Sequence, residues 1–197
     1  MPIGFLKSCF SSNHYDFWND LQSLSIIRCM KFLRWILPIG LVYGAFAYAG
    51  GGDVASYTGK MMPAFTATTF DGKKISNVSL KGKPYILDFW ATWCGPCKAA
   101  SPTMQAIHKK YAGKGLVVIG ADILESADSV PLAKKYPKEH GYTYTFTTGN
   151  EKLGQKLGIT GIPCFIFVDK TGKIKAVRSG FKANSPAEFD KLAMSIL

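Results

Sequence analysis

The chain has 197 residues, of which 47% are hydrophobic and 19% charged, and its formal net charge is +11. This composition excludes a disordered chain, and the length suits one domain plus a short additional segment. The lysines and arginines are spread along the chain and accompany no recognised nucleic-acid-binding motif. The charge therefore indicates a solvated surface, and we expect no nucleic acid partner.

Residues 1–29 show no sustained periodicity, and we interpret them as an N-terminal extension produced by a mis-assigned start. The first coherent pattern begins at Met30. A positive stretch without acids, 30–34, precedes the apolar stretch 36–46, and residues 47–49 read Ala-Tyr-Ala. This order is typical of a secretory signal peptide with its cleavage site.

We therefore predict a signal peptide over 30–49 and a mature protein that starts at Gly50. The alternative is an uncleaved membrane anchor over 31–49. The apolar stretch contains Pro38 and Gly40 and is shorter than the ~20 residues of a spanning helix, which favours cleavage. Either way, the sequence predicts an extracytoplasmic protein, in the periplasm or on the outer face of the cytoplasmic membrane, where a disulfide can persist.

Residues 50–62 are rich in glycine and polar side chains and are interpreted as a linker to a domain spanning 63–197. The domain begins with a predicted β-hairpin. Residues 65–70 and 73–78 are rich in β-formers, and the Asp-Gly pair at 71–72 is a strong turn signal between them.

The elements after the hairpin alternate between apolar strands and helices. Ser126 or Asp128 is a plausible cap for the second helix, and Pro131 lies in its first turn. The pattern predicts an α/β protein with a central mixed sheet between helical layers. The predicted strands are 85–90, 116–121, 142–147, 164–168 and 174–179, and the predicted helices are 95–112, 126–140, 150–157 and 186–197.

Two cysteines, Cys94 and Cys97, lie where the strand 85–90 gives way to a helix. Two residues separate them, so they can close a disulfide across one helical turn. The N–H groups and dipole of the first helical turn stabilise a thiolate at Cys94. A Cys94 of low pKa leaves readily from a mixed disulfide, and a buried Cys97 can then attack it and release the partner.

The sequence Trp-Cys-Gly-Pro-Cys-Lys around this pair resembles the active site of thioredoxins, and three further positions agree with that family. Asp88 lies six residues before Cys94, where thioredoxins carry a buried carboxylate. Pro102 lies eight residues after Cys94, where they kink the active-site helix. Gly161-Ile162-Pro163 resembles their cis-proline loop.

The N-terminal hairpin, Ala91-Thr92-Trp93 and the insertion before residue 158 resemble the secreted TlpA/ResA-type branch of the thioredoxin superfamily. The resemblance implies a thioredoxin-like fold with an N-terminal β-hairpin and a helix/strand insertion.

Asp88 lies within a run of apolar residues, where desolvation raises the pKa of a carboxyl group. The resemblance implies that Asp88 accepts the proton of Cys97 during the attack on Cys94. The alternative is a partly exposed aspartate on an edge strand.

The family resemblance also implies a substrate-binding surface. It predicts a cis peptide bond at Ile162-Pro163, with the backbone of Ile162 offered to an extended peptide. Trp93 is predicted to be partly exposed beside the disulfide, whereas Trp90 is expected in the core. The dipeptide Gly95-Pro96 completes this surface and resembles the dipeptide of reducing thioredoxins.

Cys164 departs from the family, which usually has a small polar residue after this proline. We expect a buried, inert thiol that fills a small volume. The alternatives are a third reactive thiol that pairs with Cys94, or a metal ligand beside the Cys94–Cys97 pair.

The sequence therefore predicts an enzyme, a thiol–disulfide oxidoreductase that reduces disulfides of envelope proteins, without a metal or an organic cofactor. The resemblance implies apocytochrome c as one substrate and a membrane-embedded electron donor. We expect a monomer.

Two other functions are alternatives. A peroxiredoxin-type peroxidase would need a Pro-x-x-x-Thr-x-x-Cys arrangement, but Ala91 stands in the threonine position and Pro84 lies too far upstream. A non-enzymatic copper-binding assembly module would need a third ligand, for which Cys164 is the candidate.

Overall fold

A computed structural model describes residues 53–126 and 129–197 of the chain. The seven strands, β1 to β7 in chain order, are Thr66–Thr69, Lys74–Ser76, Tyr85–Trp90, Val117–Asp122, Thr145–Thr148, Cys164–Val168 and Ile174–Ser179. The four α-helices of the described residues, α1 to α4, are Gly95–Tyr111, Val130–Glu139, Glu151–Leu157 and Ser185–Ser195.

The strands form one mixed sheet in the order β2-β1-β5-β4-β3-β6-β7. Strand β3 lies inside it, parallel to β4 and antiparallel to β6. All six residues of β3 are buried, as expected for a strand covered on both faces. The predicted α/β class and central mixed sheet are confirmed.

The predicted N-terminal hairpin is formed by β1 and β2, which pair with Thr66 opposite Ser76. Gly72 has a φ of 89°, a left-handed conformation that glycine adopts without strain, and this explains the Asp-Gly turn. The hairpin joins the sheet where Thr68 pairs with Thr148 of β5.

Helix α2 begins later than the sequence indicated. The prediction started the helix at Ser126, but it begins at Val130, after Ser129 and with Pro131 in its first turn. The Ser129 amide donates to the Ser126 carbonyl at 2.9 Å, so Ser126 belongs to the preceding turn. Asp128, the other predicted cap, lies outside the described residues.

The linker predicted over 50–62 requires a similar correction, because the described part of it packs against the domain. Residues Val54–Tyr57 form a 3₁₀ helix capped by Asp53, and the side chain of Val54 is buried. The amide of Gly59 donates to the carbonyl of Ile174 in β7. The glycine-rich composition of this segment is typical of a linker. The structure instead shows its backbone hydrogen-bonded to Ile174 of β7.

The core has two parts because successive side chains of β3 point to opposite faces of the sheet. On the α1 face, Ile86 and Trp90 pack with buried residues of α1, α2 and α4. On the α3 face, Leu87 and Phe89 pack with buried residues of α3, β4 and β6.

The predicted extension 1–29 and signal peptide 30–49 lie outside the described residues. Within 53–126 and 129–197, no helix is both long and apolar enough to span a membrane.

Candidate active site

Cys94 and Cys97 lie at the junction of β3 and α1, as the sequence predicted. Cys94 is the N-cap of α1, and the amide of Cys97 donates to the Cys94 sulfur at 3.2 Å. The two sulfur atoms form a disulfide, with the Cα atoms 5.3 Å apart. A helix N-terminus favours negative charge, so this position stabilises the Cys94 thiolate once the disulfide is reduced.

The surface around the disulfide is apolar and open. Both cysteines are largely buried, whereas Trp93 is 62% exposed and Gly95 and Pro96 are also exposed. The Trp93 indole Nε1 donates to the carbonyl of Leu124 at 3.1 Å, which fixes the ring on the loop after β4. Trp93, Gly95 and Pro96 are thus exposed residues that border the disulfide.

Asp88 lies in the middle of β3, in register with Gly120 on β4 and Phe165 on β6. This internal position contradicts the alternative of an aspartate on an edge strand. Its side chain is 1% exposed, and burial raises the pKa of its carboxyl group to about 8. Strand alternation places it on the α1 face, which also contains Cys97.

The loop before β6 has the predicted cis peptide bond between Ile162 and Pro163. Because β6 runs antiparallel to β3, its first residue pairs with Phe89 near the end of β3 that leads to the disulfide. Ile162 is half-buried and packs against the core cluster that contains both cysteines. The loop and the disulfide therefore lie at the same end of the sheet.

Cys164 lies apart from the pair. It begins β6, is completely buried and packs on the α3 face with Phe89 and Ile166. Burial raises the pKa of its thiol to about 12. Since Cys94 and Cys97 belong to the other core cluster, the geometry favours the inert buried thiol over a third reactive thiol.

The rival metal site also depended on Cys164. Within the described residues, no group of three or more histidine, cysteine, aspartate or glutamate side chains could hold a metal ion.

Two acidic residues near the site were missed from the sequence. Glu125 accepts a hydrogen bond from the backbone amide of Thr92, two residues before Cys94. Asp122 pairs with Trp90 in the sheet, and burial, with the charges of Glu125 and Glu151, raises the pKa of its carboxyl group to about 8. The sequence did contain a signal for these two residues. They closely follow the apolar run 116–121, and neighbouring parallel strands end at the same edge of a sheet, so residues after this run lie near the end of β3.

Three further polar residues were missed on the α1 face: Ser101, Tyr136 and Tyr144 are all buried. The aromatic residues looked like ordinary core residues in the sequence, and nothing local linked them to the cysteines.

Comparison with known proteins gives the family. The family described as AhpC/TSA matches residues 58–177, more than half of the chain. The chain belongs to the AhpC/TSA family. Within the thioredoxin superfamily it is a ResA-like member, as its sequence resemblance indicated.

The similar proteins carry related names. The thiol-disulfide oxidoreductase ResA of Bacillus thuringiensis (strain Al Hakam) is 36% identical over 118 residues, 59% of this chain and 66% of the relative, slightly under two thirds of its length. The thiol:disulfide interchange protein DsbE of Pseudomonas fluorescens biotype C is 32% identical, over 72% of this chain and 83% of the relative.

A solved structure is similar to most of this chain. It is a thiol:disulfide interchange protein of the thioredoxin family from Chlorobium tepidum TLS. It has a TM-score of 0.61 and 34% identity, covering 69% of this chain and 94% of that one. The names of these similar proteins and the Cys94–Cys97 disulfide agree on thiol–disulfide chemistry.

Proposed function

We propose that the chain is a thiol–disulfide oxidoreductase that reduces disulfides in extracytoplasmic proteins. The observation that carries the proposal is the Cys94–Cys97 disulfide at the N-terminus of α1, with the buried Asp88 on the same face of the sheet. This arrangement combines a thiol that leaves easily with a nearby proton acceptor.

The reaction starts from the reduced pair. The Cys94 thiolate attacks one sulfur of the partner's disulfide, and the partner's other sulfur leaves as a thiolate. Cys97 then loses its proton to Asp88 and attacks Cys94, which restores the Cys94–Cys97 disulfide and releases the partner's second sulfur. Two electrons pass from the pair to the partner.

The pKa of Asp88, about 8, suits this role. A carboxylate with this raised pKa is a stronger base than an ordinary aspartate, so moving the Cys97 proton to Asp88 costs less free energy. A normal aspartate, with a pKa of ~3.9, would be too weak a base for a thiol.

The partner is an extended peptide segment that carries a disulfide. The backbone of Ile162 before the cis proline can pair with such a segment, while Trp93, Gly95 and Pro96 contact its side chains. We place the reaction outside the cytoplasm because of the predicted signal at 30–49. Apocytochrome c is one proposed substrate, and a membrane-embedded electron donor is proposed to re-reduce the pair.

The direction of electron flow is tested by the reduction potential of the pair, measured in glutathione or dithiothreitol buffers. We expect a value nearer that of thioredoxin, about −270 mV, than that of DsbA, about −120 mV. A strongly oxidising value would instead make the chain a disulfide-forming enzyme. Cys94→Ser should abolish reduction of a disulfide substrate, and turnover that survives this change would refute the proposed function.

A further inference from the structure

The buried polar groups without a hydrogen-bond partner among the described residues include three on the α1 face. They are Oδ1 of Asp88, the hydroxyl of Tyr144 on the segment leading into β5, and the indole Nε1 of Trp90 in β3. Tyr144 packs in the core cluster with Cys97, and Asp88 points to the same face. One acceptor and two donors, each without a partner, therefore lie on the same buried face of the sheet. Such groups are rare in native proteins because desolvation makes them costly.

A second pair of hydroxyls connects this compartment with the active-site helix. The hydroxyl of Tyr136 on α2 donates to Oγ of Ser101 at 3.2 Å. The hydroxyl of Ser101 in turn donates to the backbone carbonyl of Cys97 at 3.2 Å. All three residues are buried, so these contacts are shielded from bulk water. The hydroxyls thus reach the backbone of the resolving cysteine.

The charge of Asp88 affects the pKa of both buried tyrosines, Tyr144 and Tyr136. Burial, mainly, and the Asp88 charge raise the pKa of Tyr144 well above its ordinary value. Burial is also the main cause that raises the pKa of Tyr136 to about 12, with a smaller contribution from Asp88. Both tyrosines therefore stay protonated over the working pH range. The O–H of Tyr136 is donated to Ser101, whereas that of Tyr144 is free to donate to an ionised Asp88.

The other elements packed around Asp88 contribute few charges. Helix α1 contributes Cys97, and β4 contributes Gly120, which does not titrate. Strand β6 contributes the thiol of Cys164, whose pKa the Asp88 charge raises slightly, but this thiol lies on the α3 face of the sheet. The donors in this core cluster that have no other partner among the described residues are therefore the Tyr144 hydroxyl and the indole Nε1 of Trp90.

Tyr144 also lies beside a surface cleft of 400 Å³ between the β1–β2 hairpin and α2, which the half-buried Tyr142 lines as well. The Tyr144 hydroxyl itself is buried, so it remains on the interior side of this cleft.

We propose that Tyr144, assisted by the Tyr136–Ser101 pair, is a positioning residue that stabilises the ionised form of Asp88 during resolution of the mixed disulfide. This inference rests on the proposed function. In the resolving step, Asp88 takes the Cys97 proton as the Cys97 sulfur bonds to Cys94 and the bond between Cys94 and the partner breaks. Asp88 must be ionised beforehand, and the Tyr144 hydroxyl supplies a hydrogen bond that a buried carboxylate needs. The Tyr136–Ser101 pair assists by holding the backbone of Cys97.

The first test is a carbon-13 NMR titration of the Asp88 carboxyl group in the oxidised full-length chain. Tyr144→Phe removes one donor and should raise the pKa of Asp88 by about one unit. Tyr136→Phe, which acts through Ser101, should raise it less. Tyr111→Phe is the matched control, because Tyr111 is equally buried on α1 but donates to Asp190 at 3.0 Å. An Asp88 that titrates in Tyr144→Phe as in the wild type would overturn the proposal.

The second test follows the resolving step in a single turnover across pH. Tyr144→Phe should slow release of the partner about tenfold near pH 7 and shift the pH profile upward, with recovery at high pH. A loss that is equal at every pH would indicate a merely structural role and contradict the proposal. The two proposals can fail separately. A wild-type chain that shows no Cys94-dependent turnover would refute the proposed function. The NMR titration needs no partner protein, so it would still decide whether Tyr144 lowers the pKa of Asp88.

Discussion

The two faces of the central sheet use the same strand for different purposes. On the α3 face, β3 contributes Leu87 and Phe89 to a core that also holds the inert thiol of Cys164. On the α1 face, the same strand contributes Asp88, next to the disulfide and the buried hydroxyls. The comparison shows that one face supplies packing while the other carries a buried carboxyl group whose desolvation costs stability.

The largest effect should come from removing the carboxyl group of Asp88. Asp88→Asn cannot accept the Cys97 proton, so we expect release of the partner to slow by about 100-fold, in the range typical of general-base catalysis. Rapid-quench trapping of the mixed disulfide measures this step. Resolution at the wild-type rate would exclude Asp88 as the base.

The same variant should gain stability at neutral pH. The pKa of Asp88 is about 8 in the folded chain, against an unfolded value of ~3.9. Between these values the folded state holds a proton that the unfolded state lacks. The free energy of unfolding is therefore highest below pH ~4, where Asp88 is protonated in both states. It falls as the pH rises from ~4 to ~8. Asp88→Asn removes this loss and should gain roughly 4 kcal/mol at pH 7 and almost nothing at pH 4 in urea unfolding.

Two glycines allow a matched comparison of packing on the two faces. A Cβ atom at Gly120 would lie 2.7 Å from Cδ1 of Phe146 and 3.3 Å from Nε1 of Trp90, both on the α1 face. Gly120→Ala should therefore cost about 1–3 kcal/mol through overpacking.

Gly154→Ala, in α3, is the matched control on the other face. Its Cβ atom would lie 3.5 Å from Cδ1 of Ile123, an ordinary contact, so the helix should gain about 0.5–1 kcal/mol. Chemical denaturation of both variants measures the difference. Equal changes in the free energy of unfolding for the two variants would mean that Phe146 and Trp90 can move to accommodate the added methyl group.

The smallest effect should follow from removing the thiol on the α3 face. Cys164→Ala should leave the reduction potential of the Cys94–Cys97 pair unchanged and cost about 1 kcal/mol of stability. Because burial raises the pKa of Cys164 to about 12, the native thiol should also resist alkylation at pH 8. A shifted potential would bring the third thiol into the mechanism.

The sequence predicted those features that depend on local pattern or on a familiar motif. The apolar run of β3, the Asp-Gly turn and the Cys94–Cys97 spacing each carry their own signal, and the cis bond before Pro163 followed from the family resemblance. The structure places these residues as expected. The roles of Asp88 and of the substrate-binding residues stay predictions.

The missed features depend on which strands become neighbours. Tyr144 reaches the active-site face only because β5 inserts between β1 and β4. Glu125 reaches the loop of Thr92 only because β3 and β4 end together. Val54 is buried only because its segment pairs with β7. No local periodicity records such long-range pairings.

The segment 53–62 also determines how the sheet ends. Strand β7 is an edge strand, and an uncovered edge offers free N–H and C=O groups to another chain. Here the backbones of Gly59 and Lys60 hydrogen-bond to Ile174, and Met61 bridges Lys173. The opposite edge, β2, is only three residues long and carries Lys74. Trimming the protein at residue 63 would expose part of β7 and favour edge-to-edge aggregation.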